Sequence, residues 1–85
     1  MATSVVQASA ILGVIPLEIY NYPQRLDILL QVLEELEGYF SSPEKKKNWL
    51  LRPNRALGEA PLQLIAKDRG QELLDVFHRL AFGVY

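Results

Sequence analysis

The chain contains no cysteine. That excludes disulfides, thiolate zinc sites and cysteine nucleophiles together. Histidine occurs once, as His78, so no paired-histidine ligand spacing can be built and no metal site is expected. No sign of charge is in excess either. Nine Lys and Arg against ten Asp and Glu leave a formal net charge of −1. This argues against broad affinity for nucleic acid, which needs clustered cations that displace counterions. Long uninterrupted hydrophobic runs are also missing. The segment SVVQASAILGVIPLEIY is apolar, but Pro16 and Glu18 break it, whereas a membrane span takes about 20 apolar residues. It also lacks the basic leader of a signal peptide. No membrane partner is expected, and the cytoplasm is the default compartment.

The parts of an enzyme are sparse. The serines, Ser4, Ser9, Ser41 and Ser42, lie near the N-terminus or at a helix start, and none has a base beside it in sequence. No glycine-rich phosphate loop occurs. Glu34, Glu35 and Glu37 sit on a helical pattern without histidine at metal spacing, so they read as a solvated face. The expectation is a non-enzymatic protein with no catalytic residues and no cofactor.

The composition that is present points to a small packed domain. Of the 85 residues, 49% are hydrophobic, which suits a chain with some apolar surface covered by a partner. A chain of this length buries only roughly 60–65% of the surface its unfolded form exposes, so its stability is modest. No stretch alternates like a strand, and no Asn-Gly or Asp-Gly hairpin signal occurs. The fold class is therefore all-α: a small compact helical domain with one long helix and several short ones. Residues 5–13 read as a short helix ending at Gly13, and 16–20 as a further turn. The long helix is PQRLDILLQVLEELEGYF, from Pro23 to about Phe40. Leu26, Leu29, Leu30, Leu33 and Phe40 fall on one face, and Ile28, Val32, Leu36 and Tyr39 form a second stripe. Together they cover roughly 200° of the helix. This helix either sits centrally or buries its second stripe against another chain, and a homodimer through that stripe is the expectation. Ser41 stands at capping-box spacing from Glu44, and Pro43 suits the first turn of the next helix, which Pro53 must end at Arg52. Pro61 opens another short helix. A last helix is predicted over about 68–82, with Asp68 as its N-cap, Leu73, Val76, Phe77 and Leu80 on its core face, and Gly83 as a left-handed C-cap.

The stretch NWLLRPNRALGEAPLQLI, residues 48–65, concentrates rigid and special residues. Helices under about 12 residues are marginal alone. Pro53, Gly58 and Pro61 fix the corners between such short helices, Trp49 anchors them from below, and Asn54 suits a turn. The ordered series Trp49-Leu50, Pro53-Asn54, Leu57-Gly58, Pro61, Leu64, Gly70 and the terminal Phe-Gly-Val-Tyr, with Gly83 inside it, resembles the toxin-binding domain of the Xre/MbcA/ParS antitoxins. The resemblance covers about residues 40–85 and extends more loosely over the long helix. It implies a small helical antitoxin domain that binds and blocks a RES-domain toxin, an enzyme that consumes NAD, in a bacterial toxin–antitoxin system. Family members carry a helix-turn-helix upstream. Here only about 22 residues precede the long helix, so residues 1–22 read as an N-terminal helical segment and a helix-turn-helix remnant, and residues 23–85 as the toxin-binding domain.

Partner contacts are placed at the C-terminal end: His78, Arg79, Phe82, Val84 and Tyr85. Phe82 falls opposite Leu73 and Leu80 on the last helix, by the rule of about 100° per residue. In the toxin-bound case the resemblance implies that the Tyr85 ring or its carboxylate enters the toxin's NAD pocket. Folding of Phe82 and Tyr85 onto the core, or into a homodimer, is the alternative. Lys45, Lys46, Lys47, Arg52 and Arg55 form the only candidate nucleic-acid face. For Lys45, Lys46 and Lys47 the other readings are a solvated surface and a site for an acidic partner. Two rival functions follow: a DNA-binding regulator of the same family, and an orphan adaptor or homodimer without a toxin.

Overall fold

The computed structural model of the chain describes the backbone of residues 5–55 and 57–81, with side chains over that span through Arg79. Within it lie six helices: α1 (Val5–Leu12), α2 (Leu17–Tyr20), α3 (Pro23–Leu36), α4 (Pro43–Leu51), α5 (Pro61–Ala66) and α6 (Gln71–Ala81). No strand occurs among the described residues. The predicted leucine contact Leu80 and the predicted cap Gly83 lie outside the described side chains and residues.

Proline sets the helix starts. Pro23, Pro43 and Pro61 stand in the first turns of α3, α4 and α5, and in none of the three does the N-cap side chain make a capping hydrogen bond. Proline suits this place because it pre-sets φ and has no N–H to orphan. The capping box expected at Ser41 is therefore not formed. Ser42 is the N-cap residue of α4, and its extended backbone is what the following Pro43 demands. At the other end Arg52 is extended, with ψ 137°, ahead of Pro53. Gly13 and Gly58 both take φ +84° and turn the chain where a side chain would be strained.

The long helix ends earlier than its pattern suggests. After Leu36 the chain tightens into turns closed over three residues: Gly38 N–H donates to the Glu35 carbonyl at 3.1 Å and Tyr39 N–H to the Leu36 carbonyl at 3.0 Å. Gly38 is the weak point in helix propensity there. The consequence falls on Tyr39, which leaves the core and is 53% exposed.

Helix α3 is the centre of the fold and packs against α1, α2, α5 and α6. Leu29, Val32, Leu33 and Leu36 are all fully buried, and Leu26, Ile28, Leu30 and Phe40 pack beside them. Apart from the exposed Tyr39, both of its stripes are thus largely covered within one chain. Val32 and Leu36, the heart of the face expected to pair two copies, have 0% and 1% exposure and offer no dimer surface. The N-terminal segment belongs to the same core, to which Ala8, Ile15 and Ile19 contribute. Arg25 ties these pieces together. Its Nη1 donates to the carbonyls of Glu18 at 3.0 Å and Ala66 at 2.8 Å, and its guanidinium lies over the Tyr22 ring at 4.1 Å.

The step from α5 to α6 differs most from the sequence expectation. Asp68 does not cap α6. It has φ +63° and closes α5: Arg69 N–H donates to the Leu64 carbonyl at 2.7 Å, and Asp68 N–H to the Ile65 carbonyl at 3.1 Å. This pair of bonds is the Schellman pattern, which usually places glycine at the left-handed residue. An aspartate there carries a conformational cost of about 1 kcal/mol relative to glycine. Asp68→Gly is therefore expected to raise the thermal midpoint by about 4–8 °C, less whatever the pairing of Asp68 with Arg25 contributes. A fall in the midpoint on a calorimetric scan would show that the aspartate side chain matters more than its backbone.

Downstream, Gly70 sits in a close approach between the start of α6 and α3. A Cβ at this position would sit 2.5 Å from Ile28 Cγ2 on α3 and 3.3 Å from Ile65 Cγ1. The glycine in the quoted series is thus a packing requirement. An exposed network holds the same corner: Glu59 accepts from Lys67 at 2.7 Å and lies 3.6 Å from Arg69, which also grips Glu72. The hydrogen bond to Glu72, aided by the charges of Glu72 and Glu59, raises the Arg69 guanidinium above its ordinary value, so it stays charged at every relevant pH.

Candidate functional site

Two adjoining recesses lie along α4, and one of them reaches α6. Four α4-side residues share one helical face at i, i+3, i+4 and i+7 spacing: Lys45, Asn48, Trp49 and Arg52. They line an open recess of about 320 Å³ together with Phe40, Pro53 and Asn54. A second recess of about 220 Å³ adjoins it, sharing Phe40, Trp49 and Asn54, and extends over Leu36, Tyr39, Val76 and Phe77. Rings bridge the gap between the two helices. Trp49 and Phe77 have centroids 5.6 Å apart at 38°, and Tyr39 stacks on Phe77 at 5.9 Å and 30°. Such ring pairs add about 0.5–1.5 kcal/mol beyond their buried area.

The described residues of the loop after α4 are tied together by backbone hydrogen bonds. The Asn54 carbonyl accepts from Leu57 N–H at 3.1 Å and Gly58 N–H at 2.8 Å, and Asn54 N–H donates to the Glu59 carbonyl at 3.2 Å. Leu50 and Leu64 anchor its two ends in the core with no exposure, and Pro61 is buried as well. Leu57 packs on the core from within the loop. Trp49 is half-buried: one side of the indole is scaffold, and the other faces the groove.

The basic cluster does not act as one face. Lys46 is 4% exposed and forms an ion pair with Glu37, tying α4 to the end of α3. Lys46 is therefore not part of a solvated cationic patch, and the expected five-residue nucleic-acid face is reduced. Lys45 and Arg52 line the groove, Lys47 is half-buried, and Arg55 is exposed in the loop.

The C-terminal candidates fall into two groups. His78 and Arg79 are exposed on α6. Phe82, Val84 and Tyr85 lie outside the described residues. Around α6, at about 100° per residue, Val76 and His78 flank the buried arc of Leu73, Leu74 and Phe77 on opposite sides. Arg79 stands one turn beyond Val76, at the groove's side, whereas His78 is on the far flank. Val76, placed on the core face by pattern, is a groove-lining residue and only half-buried, while Leu74 takes a core place that the pattern did not assign. Sequence reading also missed the groove itself. Its signal was present in the two cations spaced at i−4 and i+3 around the sole tryptophan.

Residues 35–75 match the family model described as the antitoxin Xre/MbcA/ParS C-terminal toxin-binding domain. Over those residues the chain is similar to this family. The matched span runs from the end of α3 through α4 and α5 into α6, and so contains Tyr39, Phe40, Trp49, the closed loop and Gly70. No curated protein and no solved structure matches the chain. Among the described residues no helix is long and apolar enough to cross a membrane, and no group of three His, Cys, Asp or Glu could hold a metal ion.

Proposed function

We propose that this toxin-binding domain masks a RES-domain toxin, holding an NAD-consuming enzyme inactive in the bacterial cytoplasm without chemistry of its own. The observation that carries the reading is the antitoxin-domain match over residues 35–75. It is supported by a helical platform in which α6 packs on α3 and α5 and leaves His78 and Arg79 exposed. Residues 23–85 act as the binding unit, and α1 and α2 brace it from behind. His78 and Arg79 on the exposed side of α6 contact the toxin, together with Phe82, Val84 and Tyr85. The Tyr85 ring or carboxylate enters the anion-tolerant NAD cleft, so the cofactor and the antitoxin exclude one another.

Deleting residues 83–85 tests this placement. The expected result is loss of toxin neutralisation in cells, with helicity by circular dichroism unchanged. Retained neutralisation would remove the terminus from the binding surface, and a loss of helicity would make it part of the core instead.

A further inference from the structure

The groove between α4 and α6 has a chemistry that the terminal contacts do not explain. Its floor is aromatic, built from Phe40, Trp49 and Phe77, with Tyr39 at one edge. Its rim carries Lys45 and Arg52, both exposed. Among the described residues no carboxylate lines either recess, and neither cation has an ion-pair partner. In a chain of net charge −1, two cations with no ion-pair partner among the described residues, beside a half-buried indole, form a local surface of opposite sign. The aromatic recess, about 220 Å³, is smaller than the roughly 300–1,000 Å³ of small-molecule pockets and suits one protruding side chain.

We propose that this groove docks an acidic segment of the partner protein, with one aromatic or large aliphatic side chain in the recess over Trp49 and Phe77 and flanking carboxylates on Lys45 and Arg52. The proposal rests on the toxin-binding reading for the identity of the partner, while the recognition chemistry stands on the groove. Arginine presents a planar fork to a carboxylate, and lysine reaches as a point charge. The aromatic floor supplies the apolar contact, and the charges set orientation and rate of encounter.

The sole tryptophan makes the test direct, because Trp49 gives the only indole N–H resonance. The probe is a seven-residue synthetic peptide with one central phenylalanine flanked by three carboxylates. Its control is the same peptide with each carboxylate replaced by its amide. Titrated into the full chain, the acidic peptide is expected to shift the Trp49 indole resonance and to bind about tenfold tighter than the amide form, with affinity falling as salt is raised. Lys45→Gln and Arg52→Gln are each expected to weaken it about threefold, without loss of the folded spectrum. Equal binding of both peptides, or no shift of the indole, overturns the proposal. So does binding that appears only in a chain ending at residue 81, because the chain's own terminus would then be the occupant. A self-association that shifts the indole with protein concentration alone overturns it in favour of a second copy. The toxin-binding reading fails separately: peptide docking with the expected charge dependence but no complex with a RES-domain protein would refute that reading and leave the groove chemistry standing.

Discussion

Leu33→Ala is expected to remove about 2–5 kcal/mol of folding stability. Leu33 is 1% exposed in the middle of α3, the helix that packs against α1, α2, α5 and α6. Truncation there withdraws three carbons from the packed core, which relaxes only partly around the gap. A domain of this size has a total stability of about 4–13 kcal/mol, so one substitution takes a large share of it. The thermal midpoint should fall by about 10 °C or more. Val14→Ala is the control: Val14 is 85% exposed, and its truncation should stay within about 0.5 kcal/mol. Urea unfolding of both variants decides the matter. A Leu33 effect as small as that of Val14 would mean that α3 is not the centre of the fold.

Gly70→Ala has the second-largest expected effect, a loss of about 1–3 kcal/mol. The added methyl would meet Ile28 Cγ2 at 2.5 Å and Ile65 Cγ1 at 3.3 Å. Ile28 Cγ2 is fixed to a branched Cβ on a helix, and that Cβ lies 3.5 Å from the same point, so rotation about a flexible chain cannot relieve the clash. Either α6 or α3 must shift. The specific signature is rescue. Ile28→Ala alone should destabilise, yet combined with Gly70→Ala it should cost less than the sum of the two, because the branched carbons that clash are gone. Strict additivity on a denaturation cycle would place the cost of Gly70→Ala in the α6 start itself rather than in the α3–α6 contact.

Much of the architecture is legible in particular residues. Three prolines mark three helix starts because their ring suits a first turn and nothing later. Gly13 and Gly58 mark turns because both take positive φ. The period of α3 is plain, and its two apolar stripes anticipated a central helix as one of two outcomes. What the pattern could not decide was whether a second stripe meets another chain or this one, because periodicity gives direction and not neighbour. Asp68 was misread for a related reason. Aspartate is the common residue of an N-cap, but it also tolerates the left-handed region, and only the hydrogen bonds of Asp68 and Arg69 back to Ile65 and Leu64 show which helix it serves. Lys46 looked like one of three solvated lysines. Its burial follows from the pairing with Glu37 across two helices, a contact that no local spacing announces. The groove was half legible: the α4 stripe of Lys45, Asn48, Trp49 and Arg52 has helical spacing, whereas Tyr39 and Phe77 join it only through the tertiary fold.

The central claim is that this domain restrains a toxin enzyme. It is tested most directly by co-expressing the chain with the RES-domain protein encoded by the same source and following both elution and NAD consumption. The account predicts a stable co-eluting complex in which NAD consumption is suppressed. A folded chain that elutes alone while the enzyme consumes NAD at its unrestrained rate would contradict it.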